Sequence, residues 1–345
     1  MFLDPLLDYF RGKAVTIPPM DGALKPNTLL EEATVIASVN APDSVATDGT
    51  SVFYCSGKSV YLMGEDRPVA EYDDTITALA VSPQGTLAVG LNSGRIHIGG
   101  TEIEGLNCPT ALAFDGASLL ACNGSDAFTP GDWVKDLMHG NASGSLWRID
   151  LSTKQMTCLA KGLSYPFGVA VDGTASRIVF SESWAHRLAS VPLNGGKVEP
   201  VLTRLPAYPC RIAPATGGYL LALFAPLNRL VEFVLQEDDY REDMMREIES
   251  RFWIAPTLSA SSSFLEPLQN GGVKSMGVHK PWSPTRSYGL VVKLDAEFRP
   301  VSSFHSRANG KLHGVTSAIE ASGRYIVAAK GGNAILSLDP AVGGL

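Results

Sequence analysis

The stretch "YPFGVAVDG", Tyr165 to Gly173, decides the fold, because variants of it recur along the chain. It reads as a short apolar run closed by an Asp-Gly turn. Five further segments align with it: "APDSVATDG" (Ala41 to Gly49), "TITALAVSPQG" (Thr75 to Gly85), "CPTALAFDG" (Cys108 to Gly116), "YPCRIAPATG" (Tyr208 to Gly217) and "GVTSAIEASG" (Gly314 to Gly323). Such self-similarity is the mark of a repeat architecture.

After these runs come further apolar runs around small or polar turns: "SVFYCSGKSVYLM", "TLAVGLNSGRIHI", "RIVFSESWAHRLASV", "YLLALFAPLNRLVEF" and "RYIVAAKGGNAILSL". In the third unit an insertion, "DAFTPGDWVKDLMHGNAS", separates "LLACN" from "GSLWRIDL". Consecutive hairpins would also build a sandwich. Six recurrences of one pattern instead predict an all-β chain folded as a six-bladed β-propeller, whose radial closure protects its strand edges.

The propeller is expected over 34–345, with 1–33 as an N-terminal helix and arm packing on it. The amphipathic run from Phe2 to Phe10 suits that packing, or a weak membrane contact. One segment, 236–287, breaks the rhythm between the fifth unit's expected third strand and "YGLVVKLD", its expected fourth. Acidic residues precede basic ones at helical spacing from about Asp239 to Phe252, which predicts a solvated helix. The remainder is a long loop carrying Trp253, Phe264, His279, Lys280, Trp282 and Arg286. Loops of this length inside a compact domain are functional or disordered. The segment is therefore read as a helix-plus-loop lid insertion in the fifth blade; a structural cap or an oligomer contact is the other reading.

Charge and cysteine usage narrow the partners. Among 345 residues, the 28 Lys and Arg form no basic run and the net charge is -7, which argues against nucleic acid. The five cysteines are odd in number and include no C-x-x-C pair, so no disulfide framework or zinc ribbon is indicated and a reducing compartment fits. Asp4 and Pro5 stand where a secretory signal would be basic, and no transmembrane run is present. A cytoplasmic protein is expected.

In a propeller the innermost strands line a central channel, so aligned positions meet on one axis. Here they are Asp43, Thr77, Thr110, Phe167, Cys210 and Thr316, followed by Ser44, Ala78, Ala111, Gly168, Arg211 and Ser317. Calcium takes six to eight oxygens, and this set offers one carboxylate and three hydroxyls against a phenyl ring and a guanidinium. No cofactor is expected and calcium is disfavoured. Zinc finds no ligand set either.

The same residues suit an organic ligand: Asp43 and Arg211 orient a polar group, Phe167 gives an apolar wall, and Thr110 and Thr316 add hydroxyls. Cys210 beside Arg211 is a candidate reactive thiolate or a small buried hydrophobe. His313, next to the sixth run, is a candidate general base or a structural histidine. His186 and Arg187, with Glu182, read as a structural polar cluster.

Several stretches resemble the strictosidine synthase-like propellers, a family that includes adipocyte plasma membrane-associated proteins and lies near the gluconolactonase and paraoxonase propellers. They are "IPPMDGALKPNTLLEEA", "GSLWRIDLSTKQMTCLAKGLSYPFGVAVDG", "VFSESWAHRL" and "LPAYPCRIAPATGGYLLAL". The resemblance implies the propeller fold. It also implies an asparagine in "P-N-G-V" and an Asp-Asn pair in "Y-P-D-N-I-R", at positions where metal-dependent relatives hold calcium. This chain has Phe167, Cys210 and Arg211 there. The glutamate by which strictosidine synthase joins an amine to an aldehyde aligns near His313.

The expected function is a small-molecule enzyme acting at the central channel, a metal-independent lactone or ester hydrolase or a related lyase. Asp43, His313 and Cys210 are its catalytic candidates. Phe167, Arg211, Thr110, Thr316, His279 and Trp282 are expected to contact substrate. A non-catalytic ligand-binding or scaffold propeller and an amine-aldehyde condensing enzyme are the alternatives, and an oligomer is left open.

Overall fold

The computed structural model describes residues 15–262, 265–267, 272–275, 278–281 and 285–343. Six four-stranded antiparallel sheets are arranged as propeller blades. Their innermost strands are Pro42–Thr47, Ile76–Val81, Pro109–Asp115, Pro166–Asp172, Ala207–Ala215 and Val315–Ala321, the recurrent runs of the sequence. Asp-Gly and related turns lead each into its hairpin, with glycines such as Gly116 and Gly323 at positive φ.

Ring closure joins the two ends of the chain. Thr34–Ser38 forms the outermost strand of blade six and pairs with Ala334–Leu338, Thr34 standing opposite Ser337. The described part of the arm before it packs on blade five: Ser303 Oγ donates to Ala23 O at 2.6 Å, Asn27 Nδ2 donates to Ser303 O at 2.9 Å, and Leu30 is fully buried.

Apolar side chains fill the seams between blades. Ala170, Val179 and Leu188 of blade four meet Ile212, Leu221 and Val292 of blade five. Burying a side chain such as Leu221 contributes about 1.5–3 kcal/mol, so these seams carry much of the stability.

Blade five corrects one sequence expectation. "RLVEF" is not a strand but part of a helix, α2 (Arg229–Val234), and "YGLVVKLD" supplies the third strand, Gly289–Leu294, with Pro300–Ser306 as the fourth. Asn228 caps that helix by accepting from Leu230 N and Val231 N, and Val231 and Val234, one turn apart, are the residues it buries. The insertion thus starts at Leu227. A second helix, α3 (Asp238–Glu247), follows with acidic residues in its first turn and Arg246 in its last, as the macrodipole favours. In blade three the insertion forms α1 (Trp133–Met138).

Candidate functional site

Every inner strand has a register irregularity at its hub residue: Pro42/Val45, Ile76/Ala78, Pro109/Ala111, Pro166/Gly168, Pro209/Ile212 and Val315/Ser317. A bulge leaves its extra residue unpaired in the ladder, freeing backbone groups for other partners. The hub side chains use some of them. Thr77 Oγ1 donates to Pro109 O, Thr110 Oγ1 to Pro166 O and Thr316 Oγ1 to Asp43 O, all at 2.6–2.7 Å, so each stitches its blade to the next.

Arg211 crosses the axis. One terminal nitrogen donates to Asp43 O and Thr316 O at 2.9 and 3.2 Å. The other donates to Asp43 Oδ1, Thr77 O and Thr110 O at 2.6, 2.5 and 2.8 Å. The Phe167 ring faces the guanidinium carbon at 5.1 Å, a cation–π contact.

Asp43 has a second cationic partner, Lys330, which follows blade six's second strand, Arg324–Ala329. Burial opposes the Asp43 charge, but Lys330 and Arg211 outweigh it and hold the carboxyl below the usual carboxylate range.

Above this layer opens a pocket. Asp43, Thr77, Thr110, Thr316 and Phe167 form its floor, and Lys330 reaches it from the side. Trp133, Tyr165, Trp184 and Phe224 form the wall. The rings brace one another: Trp184 stacks on Tyr165 at 4.5 Å, and Trp133 meets Phe224 edge-on at 5.3 Å. Among the described residues of the blade-five insertion, Leu258 lines the pocket.

The other sequence candidates lie elsewhere. Cys210 is fully buried outside the pocket; its thiol donates to Val315 O at 3.2 Å, and burial pushes it up to about 12 against a smaller pull from Arg211. It is a structural thiol, which corrects its candidacy as a nucleophile. His313 is buried, with Nδ1 bonded to Ser287 Oγ and Nε2 to Arg307 O, both at 2.8 Å, and burial lowers its pKa. With both nitrogens occupied and no place on the pocket wall, it does not serve as the base. Arg211 donates to hub oxygens and is not among the residues lining this pocket. Trp282 and the side chain of His279 fall outside what the structure describes, as does the helix expected over Phe2 to Phe10. Arg187 pairs with the buried Glu182 at 2.6 Å, as a structural cluster would.

Lys330, Trp133, Trp184, Tyr165 and Phe224 were not picked out from the sequence. A usable signal exists: Asn92, Trp184 and Lys330 lie one or two residues beyond the second strands of their blades, so aligning those strand ends as well as the hub would have gathered them.

The hub does not fit calcium. Its carboxylate is bonded to two cationic side chains, four hub carbonyls accept from Arg211, and blade four presents a ring rather than an oxygen. Among the described residues, no group of three or more His, Cys, Asp or Glu is arranged to hold a metal. No described helix is long and apolar enough to cross a membrane.

Comparison with known proteins bears out the resemblance. Residues 115–191 match the family model for strictosidine synthase. The chain is 26% identical to rat adipocyte plasma membrane-associated protein over 59% of its length and 65% of that protein's. It is 23% identical to Arabidopsis thaliana strictosidine synthase-like 6 over 61% and 48%. The matched stretch thus covers just under two thirds of the rat protein and about half of the plant one. In fold it is similar to a gluconolactonase of Xanthomonas campestris, with a TM-score of 0.54 at 11% identity over 88% of each chain.

Proposed function

We propose that the protein is a metal-independent hydrolase of small carbonyl compounds, lactones or esters with an apolar body, working in the axial pocket. The observation that carries this reading is the Lys330–Asp43 pair set beside a wall of aromatic rings. The rings take the apolar body. Lys330 donates to the carbonyl oxygen, which gains negative charge as water attacks the carbonyl carbon; the tetrahedral intermediate then collapses, the acyl C–O bond breaks, and the departing alkoxide takes up the proton that the water loses. Asp43, ionised and engaged by Arg211 and Lys330, aims the ammonium rather than moving a proton.

The hub threonines donate to backbone carbonyls and so offer acceptor lone pairs to water or to substrate hydroxyls. Among the described residues no histidine lines the pocket. The acceleration then rests on charge stabilisation, worth about 10²–10³ for one well-placed donor, which suits strained lactones and aryl esters rather than amides. The similarity in fold to a gluconolactonase is in keeping with this class. Amine-aldehyde condensation has no support, since the aligned residue His313 is sealed away. The five unpaired cysteines keep the cytoplasmic reading as part of the proposal.

Binding without turnover is the second reading, favoured by the occupation of both Asp43 carboxylate oxygens. A panel of lactones and aryl esters, assayed with excess chelator on the parent and on Lys330→Met, separates the two. Chelator-resistant hydrolysis reduced about 100-fold in Lys330→Met supports the enzyme. Ligands that raise the melting temperature but are not turned over leave a binding site. Neither effect across the panel removes both readings.

A further inference from the structure

We infer that Arg211 is a built-in hub cation: its guanidinium fills a nest of oxygens of the kind a hard cation takes, pins all six blades at the axis, and masks a latent divalent-cation site that its removal would open.

The donor chemistry supports this. Four backbone carbonyls and one carboxylate oxygen converge on two nitrogens at 2.5–3.2 Å, supplied by blades one, two, three and six. Hard cations seek that mixture of carbonyl and carboxylate oxygens. Blade five carries the cation, and blade four closes the ring with Phe167, whose negative face suits a guanidinium and would give a metal no lone pair. Phe167 and Arg211 are thus a matched pair. The carbonyls reach the axis because each inner strand is irregular at its hub residue, so the nest is built into the backbone and outlasts removal of the arginine side chain.

Two features of the channel follow. It is barred at the axis, so the aromatic pocket is blind. A separate, largely apolar funnel lies on the far side, with Arg211 among its lining residues. The inference stands whether or not the pocket hydrolyses anything.

The test measures melting temperature in excess chelator and in millimolar calcium. The parent is expected to melt alike in both. Arg211→Asn, which removes the charge and adds an amide oxygen, is expected to melt on the order of 5–10 °C lower in chelator. Calcium is expected to return about 3 °C or more of that loss. Arg211→Lys, keeping the charge with fewer donors, should melt above Arg211→Asn in chelator and ignore calcium. A calcium-dependent shift in the parent overturns the inference, a readout that needs no variant. So does an Arg211→Asn protein that melts like the parent, or one that calcium leaves unchanged. An Arg211→Lys protein no more stable than Arg211→Asn in chelator also overturns it, because charge would then not matter.

Discussion

Trp184 Nε1 donates to Asp136 Oδ1 at 2.7 Å, tying a pocket ring of blade four to the helix inserted in blade three. The same carboxylate accepts from Asn141 Nδ2 at 2.6 Å, and Asp136 is buried. The bond fixes the plane of an indole that stacks on Tyr165.

Asp136→Ala should therefore weaken ligand binding in the pocket without touching the hub. Leaving buried donors unpaired costs about 1–3 kcal/mol, part of it in stability and part in ring order. We expect about tenfold weaker binding of any aromatic ligand that stabilises the parent, with near-ultraviolet circular dichroism of the tryptophans reduced. Asp136→Asn, which keeps one acceptor for the indole, should fall between. Unchanged affinity and spectrum in Asp136→Ala would show that packing alone orders the ring.

The insertion is held on blade six by close backbone contact. A Cβ at Gly331 would stand 1.7 Å from Leu258 O, and one at Gly314 2.4 Å from the same atom. Gly331→Ala should lift Leu258 from the pocket mouth. Limited proteolysis of the segment around Leu258 is expected to run about tenfold faster, equivalent to about 1.4 kcal/mol of easier local opening. An unchanged digestion rate and pattern would mean that other contacts hold the segment.

Buried histidines set the acid side of stability. Burial holds His186 and His305 down at about 4, with Arg307 adding to the effect on His305. Their folded values lie below the unfolded one, so the unfolded chain takes up protons first as pH falls. Their contribution is complete above about pH 6.5 and is lost between there and about 4, by up to roughly 3 kcal/mol each. Asp43 adds a loss of its own at lower pH, since its depressed folded value gives stability that disappears as pH falls through it. Melting temperature should decline steeply from pH 6.5 to 4.5, and less steeply in His305→Gln. A flat profile over that range would contradict the assignment.

Thiol reactivity should be low. Cys55, Cys108, Cys122 and Cys210 are buried, and Cys158 is the partly exposed one. Burial raises all five, Cys55, Cys108 and Cys210 to about 12. Mass spectrometry after iodoacetamide at pH 7.5 should find slow labelling, and at Cys158 first. Rapid native-state labelling of Cys210 would restore it as a nucleophile candidate.

Repetition made the fold legible. Six runs ending in similar turns name the six inner strands, because an innermost strand buried on both faces keeps its apolar pattern in every blade. Blade five was misread at "RLVEF", where Asn228 caps a helix that a five-residue apolar run does not announce. The hub alignment names Asp43, Thr77, Thr110, Phe167, Cys210 and Thr316, and all of these but Cys210 line one pocket.

Direction is what the chain alone withholds. From sequence, Arg211 and Cys210 are neighbours of equal promise, yet one reaches across the axis to four blades while the other turns into the protein. Lys330 and Asp43 stand 287 residues apart, and Trp184 and Asp136 48 apart, so closure of blade six on blade one brings the first pair together and the packing of neighbouring blades the second. Repetition along the chain is enough to fix that six strands converge and which residues they carry to the axis. The tertiary structure decided that a guanidinium fills the centre, because unpaired carbonyls at the bulges draw in the nearest buried positive charge.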